Sequence, residues 1–382
     1  MPSSRRKWWH SGDVTREGFG VEAETLHELR LTEELNVIIN SAATTNFYER
    51  YDKALDVNVM GVKHMCDFAG KCPNLDVLLH VSTAYVAGEK QGLVPERPFR
   101  DGETFRDGTH LNIDAELRLA KDPRNQMEAD NDIYMSPKAK RKAMKDLGLT
   151  RTIDMILIGY AKQSLSCFLA DLDLTMDVMP GDMVVNAMMA ATVAHASYTQ
   201  SLWSEKKPHQ QPQFVLPAAL QVYHVTSSLR HPAPYAVLYR TGIRYFEEHP
   251  RVGPDGRTVR THKVRFLGSI TMFHLFMVLK YRLPLELLRL LSILCFGLFG
   301  LSALYQDLAR NYRLVMQLVD LYGPFALFKG CFDDINLNKL RLAMANHPTM
   351  TSPLFNFDPK TVDWDDYFYR VHIPGVMKYL LK

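Results

Sequence analysis

The stretch from Asn36 to Gly88 constrains the fold more than any other part of the chain. Two short apolar runs, Val37-Ile38-Ile39 and Val77-Leu78-Leu79, lie on either side of a helical pattern. Parallel strands need a long crossover, usually a helix, and strands buried on both faces read as apolar runs. The first run leads into a turn of small residues, Ser41-Ala42-Ala43-Thr44-Thr45, and the second ends in a hydroxyl pair, Ser82-Thr83. Ligands of such sheets sit at the carboxyl ends of the strands. The stretch reads as the middle of a nucleotide-binding α/β sheet.

The residues around these turns suggest roles. Ser41, Ala42 and Ala43 have side chains small enough for a backbone to approach the ribose and phosphates of a cofactor closely. Asp52 to Ala69 has helical spacing, with Asn58 and Gly61 interrupting the apolar face. An Asn in mid-helix holds a kink or a water near a site, or points to solvent, and the spacing does not choose. Ser82 and Thr83, after the strand Asn74–Val81, are placed to hydrogen-bond a substrate carbonyl. Upstream, the Asp13 carboxylate and the Val14 amide suit an adenine ring, with an ordinary surface turn as the competing reading.

Further along, Glu22–Leu35, Asp114–Leu119 and Lys138–Leu147 read as helices, Asp122–Pro137 as a loop and Lys206–Pro217 as a linker. Tyr134 and Lys138 have Tyr-x-x-x-Lys spacing, but Pro137 between them opposes a continuous helix, so the match reads as coincidence. Asp182 suits the first turn or N-cap of a helix over Met183–His195. Gln221–Thr226 reads as a strand closed by Ser227-Ser228. Strand signals then fade. Phe266–Tyr281, Leu283–Leu304 and Arg310–Phe328 read as helices, and Leu283–Leu304 suits a buried helix, an interfacial helix or a membrane span. The aromatic tail from Phe355 to Lys382 reads as a packing segment.

A formal net charge of +3 sets up no field for nucleic acid. Five cysteines without metal-type spacing read as reduced, buried thiols facing a cytosol-like compartment, and no metal site is expected. The N-terminus is basic and lacks the apolar core of a secretory signal.

The runs INSAATTNFYERYD, VNVMGV and LLHVSTAYVAGEKQGLVPE resemble the alcohol-forming fatty acyl-CoA reductases of plants, the male-sterility type of extended short-chain dehydrogenase/reductase. The resemblance continues through KAMKDLGL, RTIDMILIGYAKQSLSCFLADLDLTMDVMPGDMVV, YHVTSSLRHP and LVDLYGPFALFKGCFDDINLNKLR to FDPKTVDWDDYFYRVHIPGVMKYLLK. It covers nearly everything from Ser11 to Lys382. It implies an incomplete Rossmann-like parallel sheet with helices on both faces over residues 1–230, and a mainly helical C-terminal domain over 231–382. It implies NADPH as cofactor and long-chain fatty acyl-CoA as substrate, reduced to a primary alcohol in wax-type lipid metabolism. Thr83 matches the family's active-site hydroxyl, with Ser82 beside it. Asp13, Val14, Ala42, Ala43 and Asn58 match its cofactor side. A membrane surface, self-association and an endoplasmic reticulum or plastid location are further expectations.

Two departures accompany the resemblance. MPSSRRKWWH stands where the family has its glycine-rich phosphate loop. The family's catalytic Tyr-x-x-x-Lys helix follows the block matching KDLGL, yet here Leu149-Thr150 runs directly into Arg151-Thr152. Tyr134 and Lys138 precede that block and do not substitute for it. The expectation is a truncated reductase of low activity. The alternative is a non-catalytic acyl-binding or interaction protein derived from one. A sugar-nucleotide epimerase or dehydratase is disfavoured, because the C-terminal blocks match reductases.

Overall fold

The computed structural model describes residues 11–22, 24–25, 35–45, 51–87, 90–104, 109–121, 167–196, 220–252, 256–259, 263–294, 300–345 and 355–379. The expected helix over Lys138–Leu147, the loop Asp122–Pro137, the Tyr134/Lys138 pair, the linker Lys206–Pro217 and most of the helix Glu22–Leu35 lie outside these residues.

The opening unit is β1 (Val37–Asn40), α1 (Tyr51–Leu55), a π turn (Asp56–Met60), α2 (Gly61–Ala69) and β2 (Val77–His80). The helix runs unbroken through the π turn, since Leu55 and Gly61 both keep right-handed helical angles, and its last turn closes onto Gly70. The strands β1 and β2 pair in parallel, Val37 opposite Val77 through Asn40 opposite His80. Asn36 fixes this register, its side-chain Nδ2 donating to the Asn74 carbonyl at 3.0 Å.

Then come β3 (Gly92–Val94), α3 (Ile113–Lys121), β4 (Cys167–Leu169), β5 (Thr175–Met176) and α4 (Gly181–His195). Asp182 sits in the first turn of α4, where a carboxylate complements the helix dipole. The Ala187, Ala190, Ala191 and Ala194 side chains are buried, and their small size lets α4 pack closely on β2. β6 (Ala233–Pro234), α5 (Tyr235–Glu248), β7 (Arg265–Leu267) and α6 (Ile270–Met277) follow. α6 continues through a π turn (Val278–Arg282) into α7 (Leu283–Leu294), which packs on α8 (Leu301–Ala326). The chain ends with β8 (Gly330–Phe332), α9 (Ile335–Ala345), α10 (Trp364–Tyr367), a π turn (Phe368–His372) and α11 (Ile373–Tyr379).

Among the described residues the strands form separate pairs rather than one sheet. Among the described residues each strand has one partner: β1 with β2, β3 with β8 and β4 with β7 in parallel, and β5 with β6 antiparallel. The last third therefore contributes strands where the sequence signal had faded. Runs of three residues, Arg265–Leu267 and Gly330–Phe332, are too short to show a period. Both pair with segments before residue 230.

Gln221–Thr226 is extended but joins no described strand ladder, which corrects its reading as a strand. Its backbone is held by side chains instead. His224 N–H donates to Glu96 Oε1 at 2.8 Å, and Asn336 Nδ2 donates to the Val222 carbonyl at 3.2 Å.

The main core joins α4, α5, α9 and the tail, with Leu340 and Ile373 fully buried and Trp364 and Phe368 nearly so. The tail is a packing segment, as its aromatic residues imply. Two of the three π turns sit two residues ahead of a proline. Pro284 and Pro374 offer no N–H to the carbonyls of Lys280 and Arg370, and their rings crowd those carbonyls. Widening the turn relieves that crowding.

Of the described cysteines, Cys72 and Cys167 are buried and Cys331 partly so, whereas Cys66 is exposed, contrary to the reading of uniformly buried thiols. α7 has no buried residue, and Leu283, Leu287, Leu290 and Leu294 face solvent, which overturns the buried-helix reading. No described helix is long and apolar enough to cross a membrane.

Candidate functional site

The β1/β2 register brings the two turns out at one edge of the sheet. Asn40 is opposite His80, and the Val81 N–H donates to the Asn40 carbonyl at 2.9 Å, carrying the pairing one residue further. Ser41–Thr45 and Ser82-Thr83 leave from there. Buried Asn40 shapes the first turn by accepting the Ala42 N–H on Oδ1 at 3.1 Å. An Asn between a β-branched run and small residues is a signal for such a turn, and Asn40 joins the site on that ground.

Asn58 lies in the middle of the first π turn, and its amide binds both backbone groups of one residue. The Thr44 N–H donates to Asn58 Oδ1 at 2.8 Å, and Asn58 Nδ2 donates to the Thr44 carbonyl at 3.0 Å. The side chain thus acts as a strand partner for the turn that carries Ala42 and Ala43. π turns recur where a helix is adapted to a site, and this one has no proline to account for it.

Gly61, one turn on, faces the segment of Asp13 and Val14. A Cβ at Gly61 would lie 3.2 Å from Val14 Cβ, a tighter contact than side chains ordinarily make, so the glycine lets the two segments approach without a shift. His64 Nδ1 donates to the Val14 carbonyl at 3.0 Å. The helix therefore places both candidate cofactor segments, through Asn58 and through Gly61 with His64. The Asp13 carboxylate faces inward to its own turn, accepting the Thr15 N–H at 3.0 Å and the Thr15 hydroxyl at 2.8 Å. These bonds, with Arg16 nearby, hold its pKa below the usual carboxylate range.

Ser82 and Thr83 are exposed. Thr83 Oγ1 accepts the Tyr85 N–H at 3.3 Å, which leaves the hydroxyl proton to be donated. Tyr85 turns the other way. Its ring packs on Phe328 and Phe332, with centroids at 5.7 and 5.6 Å, and its hydroxyl donates to the Asp177 carbonyl at 3.4 Å. Burial pushes its pKa well up.

Behind this wall two carboxylates hold the extended segment 221–228. Asp177 accepts the Ser227 N–H at 2.9 Å and the Thr226 hydroxyl. Buried Glu96 accepts the N–H groups of His224, Asn336 and Leu337. Burial nonetheless pushes its pKa up to about 7. Nothing in the sequence marks Glu96, whose partners lie 128 and 240 residues away. No described group of three or more His, Cys, Asp or Glu could hold a metal ion.

Two family models, both described as male sterility protein, match the chain. One is an NAD-binding domain over residues 3–144 and the other covers residues 280–382. The chain is 34% identical over 425 aligned residues to fatty acyl-CoA reductase 1 of Arabidopsis thaliana, covering 97% of this chain and 81% of that protein. It is 35% identical to probable fatty acyl-CoA reductase 4 of the same plant, with the same coverage. It is 32% identical to the alcohol-forming fatty acyl-CoA reductase of Simmondsia chinensis, covering 97% and 81%. The 425 aligned positions exceed the 382 residues of this chain, so the Arabidopsis reductase 1 carries residues within the matched span that this chain lacks.

Proposed function

Because the chain belongs to the male sterility family of fatty acyl-CoA reductases, we propose that it is built to bind NADPH and a long-chain fatty acyl-CoA, and that its turnover to the primary alcohol is low. The observation that carries this reading is the β1/β2 register, which puts the Ala42-Ala43 turn and the Ser82-Thr83 hydroxyls at one sheet edge. When bound, NADPH supplies hydride to the thioester carbonyl carbon, coenzyme A leaves as its thiol, and a second equivalent reduces the aldehyde.

The chain's own residues bind and orient. Ala42 and Ala43 keep the turn bare for ribose and phosphate, and Asn58 holds that turn in shape. Val14, set against Gly61, and Asp13 flank the adenine end. Thr83, with Ser82 beside it, donates its hydroxyl proton to the substrate carbonyl oxygen and so draws electron density from the carbon that accepts hydride.

Proton supply is the weak step. Each reduction consumes a proton, the first at the departing coenzyme A sulfur and the second at the alkoxide left on the aldehyde oxygen. The Tyr-x-x-x-Lys of the resembled family has no counterpart at the Leu149–Arg151 junction. Tyr85 is no replacement, since its hydroxyl already donates to the Asp177 carbonyl and burial raises its pKa, which makes it a weaker acid. A missing general acid costs about 10²–10⁴-fold in rate. The same Tyr85 observation favours the second reading, a non-catalytic acyl-binding protein.

The test is titration of the purified chain with NADPH, followed by assay of alcohol from a long-chain acyl-CoA. We expect measurable NADPH binding and turnover at least about 10²-fold below that of the Simmondsia enzyme assayed alongside. Equal turnover overturns the impairment. Acyl-CoA binding without NADPH binding establishes the second reading.

A further inference from the structure

The loop that carries Asp13 and Val14 closes through a turn that its sequence would ordinarily resist. Gly18, Phe19 and Gly20 follow one another with φ of 64°, 60° and 62°. Glycine takes this left-handed conformation freely, but Phe19 is the one described residue with a Cβ that adopts it. Such a residue persists there only when its surroundings hold it. The turn sends the chain back on itself. The Asp13 N–H donates to the Phe19 carbonyl at 2.7 Å, and the Phe19 N–H donates to the Arg16 carbonyl at 2.9 Å. A Cβ at Gly12 would lie 3.2 Å from the same Phe19 oxygen, so the closure is tight.

The Phe19 ring supplies the hold. It meets the ring of Phe68 on α2 edge to face, with centroids 5.4 Å apart and planes at 73°, and Phe68 is buried. On the near limb of the loop, α2 meets Val14 through Gly61 and through His64. The ring ties the far limb to the same helix. What the loop then presents is an acceptor and a donor one residue apart. Asp13 Oδ1 takes the Thr15 N–H and hydroxyl, while Oδ2 has Arg16 Nε at 3.7 Å, too long for a hydrogen bond. The Val14 N–H has no partner among the described residues. A carboxylate oxygen beside a free amide suits the amino group and neighbouring ring nitrogen of adenine.

We propose that Phe19 is a positioning residue for the nicotinamide cofactor: its ring, seated on Phe68, holds the left-handed turn that keeps Asp13 and Val14 set for an adenine edge. It acts through the Asp13 N–H, not by contact with the cofactor. A loop already ordered spares the cofactor the cost of ordering it, so loss of the anchor weakens binding. This rests on the reading that the chain binds NADPH.

The test is titration of the full chain with NADPH and with its adenosine bisphosphate half, which lacks the nicotinamide ribose. Two substitutions separate the ring from the backbone angle. Asn tolerates left-handed angles and lacks the ring, whereas Leu disfavours them and keeps an apolar side chain. Phe19→Asn is expected to raise both dissociation constants at least about tenfold, and Phe19→Leu to stay within about threefold of wild type. The loop lies at the surface, so both variants are expected to keep the wild-type circular dichroism melt. The reverse order of affinities assigns the effect to the turn and not the ring, and overturns the proposal. So does weakened binding of NADPH with unchanged binding of the bisphosphate, since the effect then lies away from the adenine end. Wild type that binds both ligands, with Phe19→Asn equal to it, overturns the proposal and leaves the cofactor reading standing. Wild type that binds neither overturns both.

Discussion

Asn58 was ambiguous as a letter in a helical pattern, because solvent and site are both three or four residues from an apolar face. Its meaning comes from Thr44, 14 residues earlier, whose two backbone groups it pairs. Asn58→Ala should cost about 1–2 kcal/mol in urea unfolding, and Asn58→Asp, which keeps an acceptor but no donor, about half of that. Glu96 was illegible for a different reason: its environment is assembled from segments remote in sequence. Its pKa of about 7 lies above the ordinary 4.5, because burial outweighs the N–H groups it accepts. The proton-linked stabilisation is thus complete below about pH 4.5 and is lost as the pH rises through about 7. His195 acts oppositely, since burial lowers its pKa and its contribution is lost as the pH falls. The measurement is therefore a difference. Thermal midpoints from about pH 5 to 8 should fall more steeply with rising pH in wild type than in Glu96→Gln.

At the scale of elements, strands and helices with a clear period were legible and those stabilised by side chains were not. Val37–Asn40, Val77–His80 and Gly181–His195 follow from composition and period. Gln221–Thr226 carries a strand-like composition, but its partners are Glu96 and Asn336, not a neighbouring strand. The π turns could be inferred at Pro284 and Pro374, where the missing N–H forces a break, but not at Asn58. The tail shows what an element gains by docking. Trp364 stacks on Phe368 at 5.9 Å and donates Nε1–H to the His231 carbonyl at 2.9 Å. Trp364→Phe should cost about 1 kcal/mol and Trp364→Ala about 3–5 kcal/mol in chemical denaturation. Similar losses for the two would mean that the hydrogen bond, not the buried ring, holds the tail.

For the molecule as a whole, the division near residue 230 that the resemblance implies does not coincide with a gap in the contacts. β3 pairs with β8 and β4 with β7 across it, and α4 packs on α9. Residues 1–230 expressed alone should therefore lack a cooperative melt by circular dichroism, and a sharp transition would show that the first part stands unaided. The long-range pairing also has a consequence in time. Glu96 and Asn336 are 240 residues apart, and at a synthesis rate of about 5–20 residues per second roughly 10–50 s pass between their appearances. Through that interval the finished strand β3 waits on the ribosome with its ladder groups unmatched. The edge of β3 is therefore open to wrong pairing for most of the time the chain takes to be made.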